Sequence, residues 1–250
     1  LKHIGSELPR LKRISFDSVA QVFDKTRGPP EHVRRQLLVD LRRELMEYKT
    51  ILDAGVGTGR FAKPLQDTGF EVVGIDLSPK MLGVAKGKGV ANLFRGDLCF
   101  IPFRDSSFEA AICNAVLHLI PEWKMALQEI CRVTTDIMVS TIHERANPMR
   151  EAYNRLLEKY GYESSRRGKP EHDLENLVTP SKRIHVATYH VDIEQSLAHM
   201  SQRAFSYQWR IPQRVNNQIV SELRKQFSGR LARQGLGILI WNVDDLKAYL

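Results

Sequence analysis

The feature that most constrains this chain is the run Asp53-Ala54-Gly55-Val56-Gly57-Thr58-Gly59, set between two short apolar segments, Thr50–Asp53 and Glu71–Asp76. Glycine at alternate positions lets the backbone take positive φ and lets a ligand approach with no Cβ in the way. Where such a turn leads from a strand into a helix, the helix's free N–H groups and positive dipole end face the same point. The spacing is not that of a dinucleotide turn. Gly-x-Gly-x-x-Gly counted from Gly55 needs glycine at position 60, and Arg60 stands there. The plainer alternative is an ordinary glycine turn between strand and helix.

The segments around the turn repeat strand and helix. Apolar residues at helical spacing from Pro30 to Tyr48 (Val33, Leu37, Leu38, Leu41, Leu45, Met46) predict an amphipathic helix opened by Pro29-Pro30. Thr50–Asp53, Glu71–Asp76, Leu93–Asp97, Phe108–Asn114 and Ile137–Ile142 read as strands. Between them, Phe61–Gln66 closes on Gly69, Ser78-Pro79 opens a second helix, and Glu122–Val133 is a third. Apolar strands alternating with helices predict a doubly wound, mostly parallel sheet with helices on both faces, with ligands collecting at the carboxyl ends of the strands. After His143 the repeat breaks. Pro148–Tyr160, Ile193–Arg203 and Val215–Phe227 read as helices, Arg183–Val191 as an edge strand and Leu236–Trp241 as a last strand. Residues 161–180 are polar and read as a mobile loop. The expected division is a helical arm over 1–49, a Rossmann-like core over 50–143, a lid insertion over 144–214, and over 215–250 a helix and a strand returning to a seven-stranded sheet.

Composition excludes little. No apolar run approaches the ~20 residues of a membrane span, and Leu1–Gly5 lacks the apolar stretch of a secretion signal. Cys99, Cys113 and Cys131 are odd in number without metal-ligand spacing, so no metal is expected, and they read as reduced, half-buried thiols of a cytoplasmic protein. The net charge of +8 and pI near 9.5 would suit a polyanionic partner, but the basic pairs Arg34-Arg35, Arg42-Arg43, Arg166-Arg167 and Lys182-Arg183 are scattered along the chain. Nothing fixes the oligomeric state.

Two carboxylates follow the glycine turn. Asp76 lies 23 residues after Asp53 at the end of the second strand, where an acid accepts from vicinal ribose hydroxyls; capping the helix at Ser78 is the competing role. Asp97 follows the third strand. The stretch from Gly96 to His118 resembles class I S-adenosylmethionine-dependent methyltransferases of the ubiquinone/menaquinone-biosynthesis-like, type 11 group, and motif-level likeness runs from Thr50 to Ile142. One departure is Val133-Thr134-Thr135-Asp136, where the group has a Pro-Gly-Gly turn. The resemblance implies S-adenosylmethionine as cofactor. It places Asp53, Gly55 and Gly57 beside the methionine moiety, and Asp97 at the adenine amino group with Leu98 on the ring. Leu77, Met81 and Asn114 complete the cofactor set. Phe23-Asp24-Lys25-Thr26-Arg27 is similar to a Tyr-Asp-x-x-Arg segment of the group, which implies Arg27 at the cofactor carboxylate and Phe23 closing over the site. A surface arginine is the alternative.

Methyl transfer is an in-line displacement in which the protein mainly supplies alignment, so a dedicated catalytic residue need not exist. His118 and His143, at strand ends, are the candidate bases, against the alternative of structural histidines. Asn114-Ala115-Val116-Leu117 is not the Asn/Asp-Pro-Pro-Tyr/Phe of amino-group methyltransferases, and Cys113 lacks the Pro-Cys context of RNA cytosine enzymes. The aromatic and basic segment Ser201–Pro212 suggests a cap over the acceptor lined by Arg203, Tyr207 and Trp209, or else a seam packing the lid on the core. The expected acceptor is a small molecule. The alternatives are a tRNA enzyme, on the likeness of Ala111–His118 to wobble-uridine methyltransferases, and a non-catalytic cofactor-binding protein.

Overall fold

The computed structural model describes residues 15–144, 148–163, 170–227, 229 and 232–250; Leu1–Gly5 and Arg166-Arg167 lie outside them. A single sheet organises the molecule. Its strands are β1 (Thr50–Ala54), β2 (Glu71–Asp76), β3 (Asn92–Arg95), β4 (Phe108–Cys113), β5 (Thr134–His143), β6 (Lys182–Val191) and β7 (Ala232–Asn242). They lie in the order β3-β2-β1-β4-β5-β7-β6, with β7 antiparallel to both neighbours and the other adjacent pairs parallel.

Strand residues alternate between two cores. Ile51, Ala110, Ile112, Ile137, Val139, Ile238 and Ile240 pack on one face, and Leu52, Ala111, Cys113, Met138, Leu239 and Trp241 on the other. Burial on both faces explains why these strands read as continuous apolar runs. The first face is covered by α2 (Glu31–Leu45), α3 (Ala62–Gln66) and α4 (Pro79–Gly87), with Val33, Leu37, Leu41 and Leu45 of α2 fully inside. The second is covered by α5 (Trp123–Val133), α7 (Pro170–Leu177) and α10 (Val243–Tyr249). The short α1 (Phe23–Thr26) precedes them. The three cysteines, expected half-buried, are enclosed in the second core, where burial pushes the Cys131 thiol up to about 12.

The 161–180 stretch, expected as a mobile loop, contains α7: Leu174 and Val178, one turn apart, are buried, and the Val178 carbonyl accepts from Trp241 Nε1 at 2.8 Å. The 144–214 segment supplies α6 (Pro148–Lys159) and α8 (Ile193–Ser201) of a helical cap and, as expected for Arg183–Val191, the edge strand β6 of the sheet. The helix α9 (Gln213–Phe227), grouped in the sequence reading with the segment returning to the sheet, packs instead with α6 and α8, because its apolar stripe Val215, Ile219, Val220, Leu223 and Phe227 meets theirs in a third core. No described helix is long and apolar enough to cross a membrane.

The cap elements, the glycine turn and the segments after β2, β3 and β4 all leave from the carboxyl edge of the parallel strands. The site is built there.

Candidate active site

The glycine turn is shaped by three separate demands. Gly55 has φ +81° and lies so close to Val116 that a Cβ would come within 2.8 Å of Cγ2. Gly59 has φ +73°, and a Cβ would meet Val90 Cγ2 at 2.7 Å, so the third glycine lets the turn pack against α4 and Val90. Gly57 has φ +54° but open space: nothing comes nearer to its absent Cβ than the Gly55 carbonyl at 3.9 Å. Backbone bonds fix the turn to the neighbouring strand, with Gly55 N and Val56 N both donating to the Ile75 carbonyl at 2.8 and 3.0 Å.

Asp76 ties the turn from the other side. Its carboxylate accepts from Gly57 N at 2.9 Å and from Ser78 N at 2.8 Å. Burial raises its pKa, opposed by these N–H groups and that of Leu77, while nearby Asp17 adds to the rise. Asp17 in turn accepts from Ser78 Oγ at 2.5 Å and Lys80 N at 3.2 Å, joining the N-terminal arm to the cap of α4. Ser78 caps that helix as expected, accepting from Met81 N at 3.1 Å. Asp53 is 2% exposed, and its Oδ2 is buried with no hydrogen-bond partner. Burial first, and then repulsion from Asp76, push its pKa up to about 7; an N–H bond from Ala62 opposes the rise. A buried carboxylate oxygen left without a donor is a vacancy for one.

The arm docks on the turn through Asp24. It accepts from Thr58 Oγ1 at 2.7 Å and pairs with Arg60 at 3.1 Å and with Lys88. Burial alone would raise its pKa, but these donors hold it below the ordinary value. Phe23 lies under the Arg60 guanidinium, 5.4 Å from its ring centre. Arg27 shares the Phe23 ring and reaches the cap: it donates to the Ala204 carbonyl and sits over Phe16, Phe23 and Phe205 at 5.3, 5.1 and 5.3 Å. Phe205 and Tyr207 stack with centres 5.5 Å apart, and Arg150 lies 3.1 Å from the Tyr207 ring centre. Phe16 meets Trp209 edge-on at 5.1 Å.

Residues 52–136 match a family model described as a methyltransferase domain. The match covers β1 to the first residues of β5, the half that holds the glycine turn, Asp53 and Asp76. Over about a third of its length the chain is thus similar to a methyltransferase domain. It is similar to a demethylmenaquinone methyltransferase of Renibacterium salmoninarum, 33% identical over 57% of this chain and 63% of that one. It is also similar to a malonyl-[acyl-carrier protein] O-methyltransferase of Erwinia billingiae, 29% identical over 53% and 56%. The chain thus spans less than two thirds of the length of these relatives. In fold it resembles a crystal structure of a Thermotoga maritima SAM-dependent methyltransferase, a possible histamine N-methyltransferase, with TM-score 0.53, 18% identity, and coverage of 91% and 97%.

S-adenosylmethionine is the cofactor that the family resemblance implies, and the residues present fit it. The orphaned Asp53 oxygen and the open face of Gly57 are features a ligand with N–H donors completes. Other expected residues of the methyltransferase domain are distributed less evenly. Met81 and Leu98 are buried at 3% and 5%, Leu98 within the second core, while Leu77 is 37% exposed beside Asp76. Asp97 accepts from Cys99 N at 3.0 Å, closing the turn after β3. Asn114 accepts from Thr141 Oγ1 across the ends of β4 and β5. His118 is half-buried in a 3₁₀ turn, Leu117–Leu119, and His143 is exposed at the end of β5.

In the cap, Arg203, expected to line the acceptor space, is engaged with backbone: it donates to the carbonyls of Gln208 at 2.9 Å and Trp209 at 2.5 Å, and Trp209 Nε1 returns a bond to the Arg203 carbonyl at 2.9 Å. Its φ of +53° explains the need, since the strained turn is held by its own side chain.

Several site residues escaped the sequence reading. Asp24 stood inside the arm motif without a role, and Thr58 and Arg60 were seen only as loop residues. A second cluster lies at the carboxyl edge of the sheet. There Glu144 bonds His185 Nδ1 at 2.5 Å and Thr188 lies 3.2 Å from His185 Nε2, in a slot left by Gly235 and Gly237. The pair of glycines two apart on one face of β7 was the signal for it.

Proposed function

We propose that this protein transfers a methyl group from S-adenosylmethionine to a small-molecule acceptor, by in-line displacement with catalysis mainly through proximity. The observation that carries the reading is the glycine turn tied by Gly57 N to Asp76, with Asp53 Oδ2 left without a donor, inside a matched methyltransferase domain. The cofactor supplies an activated methyl on a sulfonium and its own leaving group. The chain supplies position. Gly55 and Gly57 run beside the methionine end, Asp53 takes a donor there, and Asp76 holds the ribose hydroxyls. Asp97 reads the adenine edge, and Leu77, Met81, Leu98 and Asn114 bound the remainder. Phe23, held by Asp24 on the turn, closes the arm over it. A dedicated base need not exist; where the acceptor has a proton to lose, His118 and His143 are the candidates to take it.

Two observations favour a small acceptor over RNA. The names of the relatives give demethylmenaquinone and malonyl-[acyl-carrier protein], neither a nucleic acid. Three of the four arginines of α2 are also paired locally: Arg34 and Arg35 with Glu31, and Arg43 with Asp40 and Glu44, while Lys182 of β6 pairs with Glu44. A face whose cations are largely tied to its own acids is a weak phosphate footprint.

The test is transfer of labelled methyl from S-adenosylmethionine into fractions of a cell extract. Label is expected in the small-molecule fraction. Label confined to RNA would replace the acceptor class, and no transfer by a protein that binds the cofactor would favour a non-catalytic binder.

A further inference from the structure

The cations of the arm are not treated alike. Arg60 and Lys88 share Asp24. Arg27 pairs with no carboxylate among the described residues, and its Nε is buried without a hydrogen-bond partner. Its guanidinium lies over Phe16, Phe23 and Phe205, and among the described residues its hydrogen bond goes to the neutral carbonyl of Ala204. Burial pushes its pKa down to about 10; Tyr207 counters this and Arg60 adds to it. A desolvated cation without a counter-ion is costly, and rings return only part of the loss. Such a group is completed by an anion that arrives with a ligand.

We propose that Arg27 holds the carboxylate of a small organic acid acceptor at the junction of arm and cap. The inference rests on the methyltransferase reading and names its substrate class. Arg27's packing and hydrogen-bond contacts are with the arm and the cap, and it shares the Phe23 ring with Arg60, so two cations face an anion that enters there. The planar fork of arginine matches a carboxylate through two parallel bonds. Walls of Phe16, Phe205, Tyr207 and Trp209 suit an apolar body on that acid. A protonated amine is repelled by the same charge, which separates this chain from an amine methyltransferase of similar fold.

The competing occupant is the cofactor's own carboxylate, and two titrations separate them. In the first, S-adenosylhomocysteine and methylthioadenosine, which lacks the carboxylate, are titrated into the intact chain and into Arg27→Gln. In the second, benzoate, benzamide and benzylamine are added to the protein saturated with S-adenosylhomocysteine, and the melting temperature is read. The proposal expects Arg27→Gln to change S-adenosylhomocysteine affinity by less than about threefold. It expects benzoate alone to raise the melting temperature, and the rise to vanish in Arg27→Gln but persist in part in Arg27→Lys. A loss of about tenfold or more for S-adenosylhomocysteine with methylthioadenosine unchanged assigns the anion to the cofactor and overturns the proposal. Equal shifts by benzoate and benzamide, or none by benzoate, overturn it too. Should neither nucleoside bind the unaltered chain, the methyltransferase reading itself fails, and benzoate titrated without cofactor still reports on Arg27.

Discussion

Gly57 and Gly59 stand two residues apart with the same sign of φ, and they differ in what a side chain would meet. At Gly59 an alanine methyl has both a left-handed backbone and Val90 at 2.7 Å to contend with. Gly59→Ala should destabilise by roughly 2–3 kcal/mol, read as a lower unfolding midpoint. Gly57→Ala meets nothing within 3.9 Å and should cost only the backbone strain, about 1 kcal/mol, while weakening cofactor affinity by about tenfold or more because its methyl stands in the ligand's space. Asp53 gives a pH signature. Its ordinary value of 3.8 applies to the unfolded chain, and about 7 to the folded one. Between them the unfolded state is ionised while the folded state keeps its proton. The contribution is therefore fully present below the lower value and lost as pH rises through the upper one. Stability of the ligand-free chain should fall over that window by at most about 4 kcal/mol. Urea midpoints against pH should show this slope, and Asp53→Asn should flatten it.

Among elements, the cap depends on one buried polar knot. Asn216 accepts from Tyr153 at 2.8 Å and Gln208 Nε2 at 2.8 Å, and donates to the Met200 carbonyl at 2.9 Å, joining α6, α8 and α9. Asn216→Ala removes three bonds of the knot, although Gln208 Nε2 still donates to the Met200 carbonyl at 2.8 Å, and should cost roughly 1–3 kcal/mol. Trp209 fluorescence should then report loosening of the cap before the sheet unfolds; a single unchanged transition would contradict this. The knot was illegible in the sequence because no spacing relates Tyr153, Gln208 and Asn216. The sheet was legible for the opposite reason. In β2 both faces are covered, so the apolar run and its bounds coincide with the strand. The α7 helix was hidden because only Leu174 and Val178 anchor it within a polar stretch. Arg203 was misplaced because composition marks a basic residue near aromatics but does not say that its donors meet its own backbone.

Across the whole molecule, the arm connects two parts that are distant in sequence. Asp24 meets the glycine turn and Arg27 meets the cap, so cofactor loop and acceptor side share one short segment. The cofactor half was readable because it lies within a single strand–turn–strand unit of contiguous motifs. The proposed acceptor side was readable only in part: Phe23, Tyr207 and Trp209 stood out in separate segments, while Phe16, Arg27 and Phe205 join them only in the fold. The central claim is that this turn and Asp76 hold S-adenosylmethionine. Isothermal titration of S-adenosylmethionine and S-adenosylhomocysteine into the unaltered chain and into Asp76→Ala tests it most directly. The account predicts that both ligands bind the unaltered chain and that the variant, still folded, loses about tenfold or more in affinity for each. Equal binding by the two proteins would contradict it.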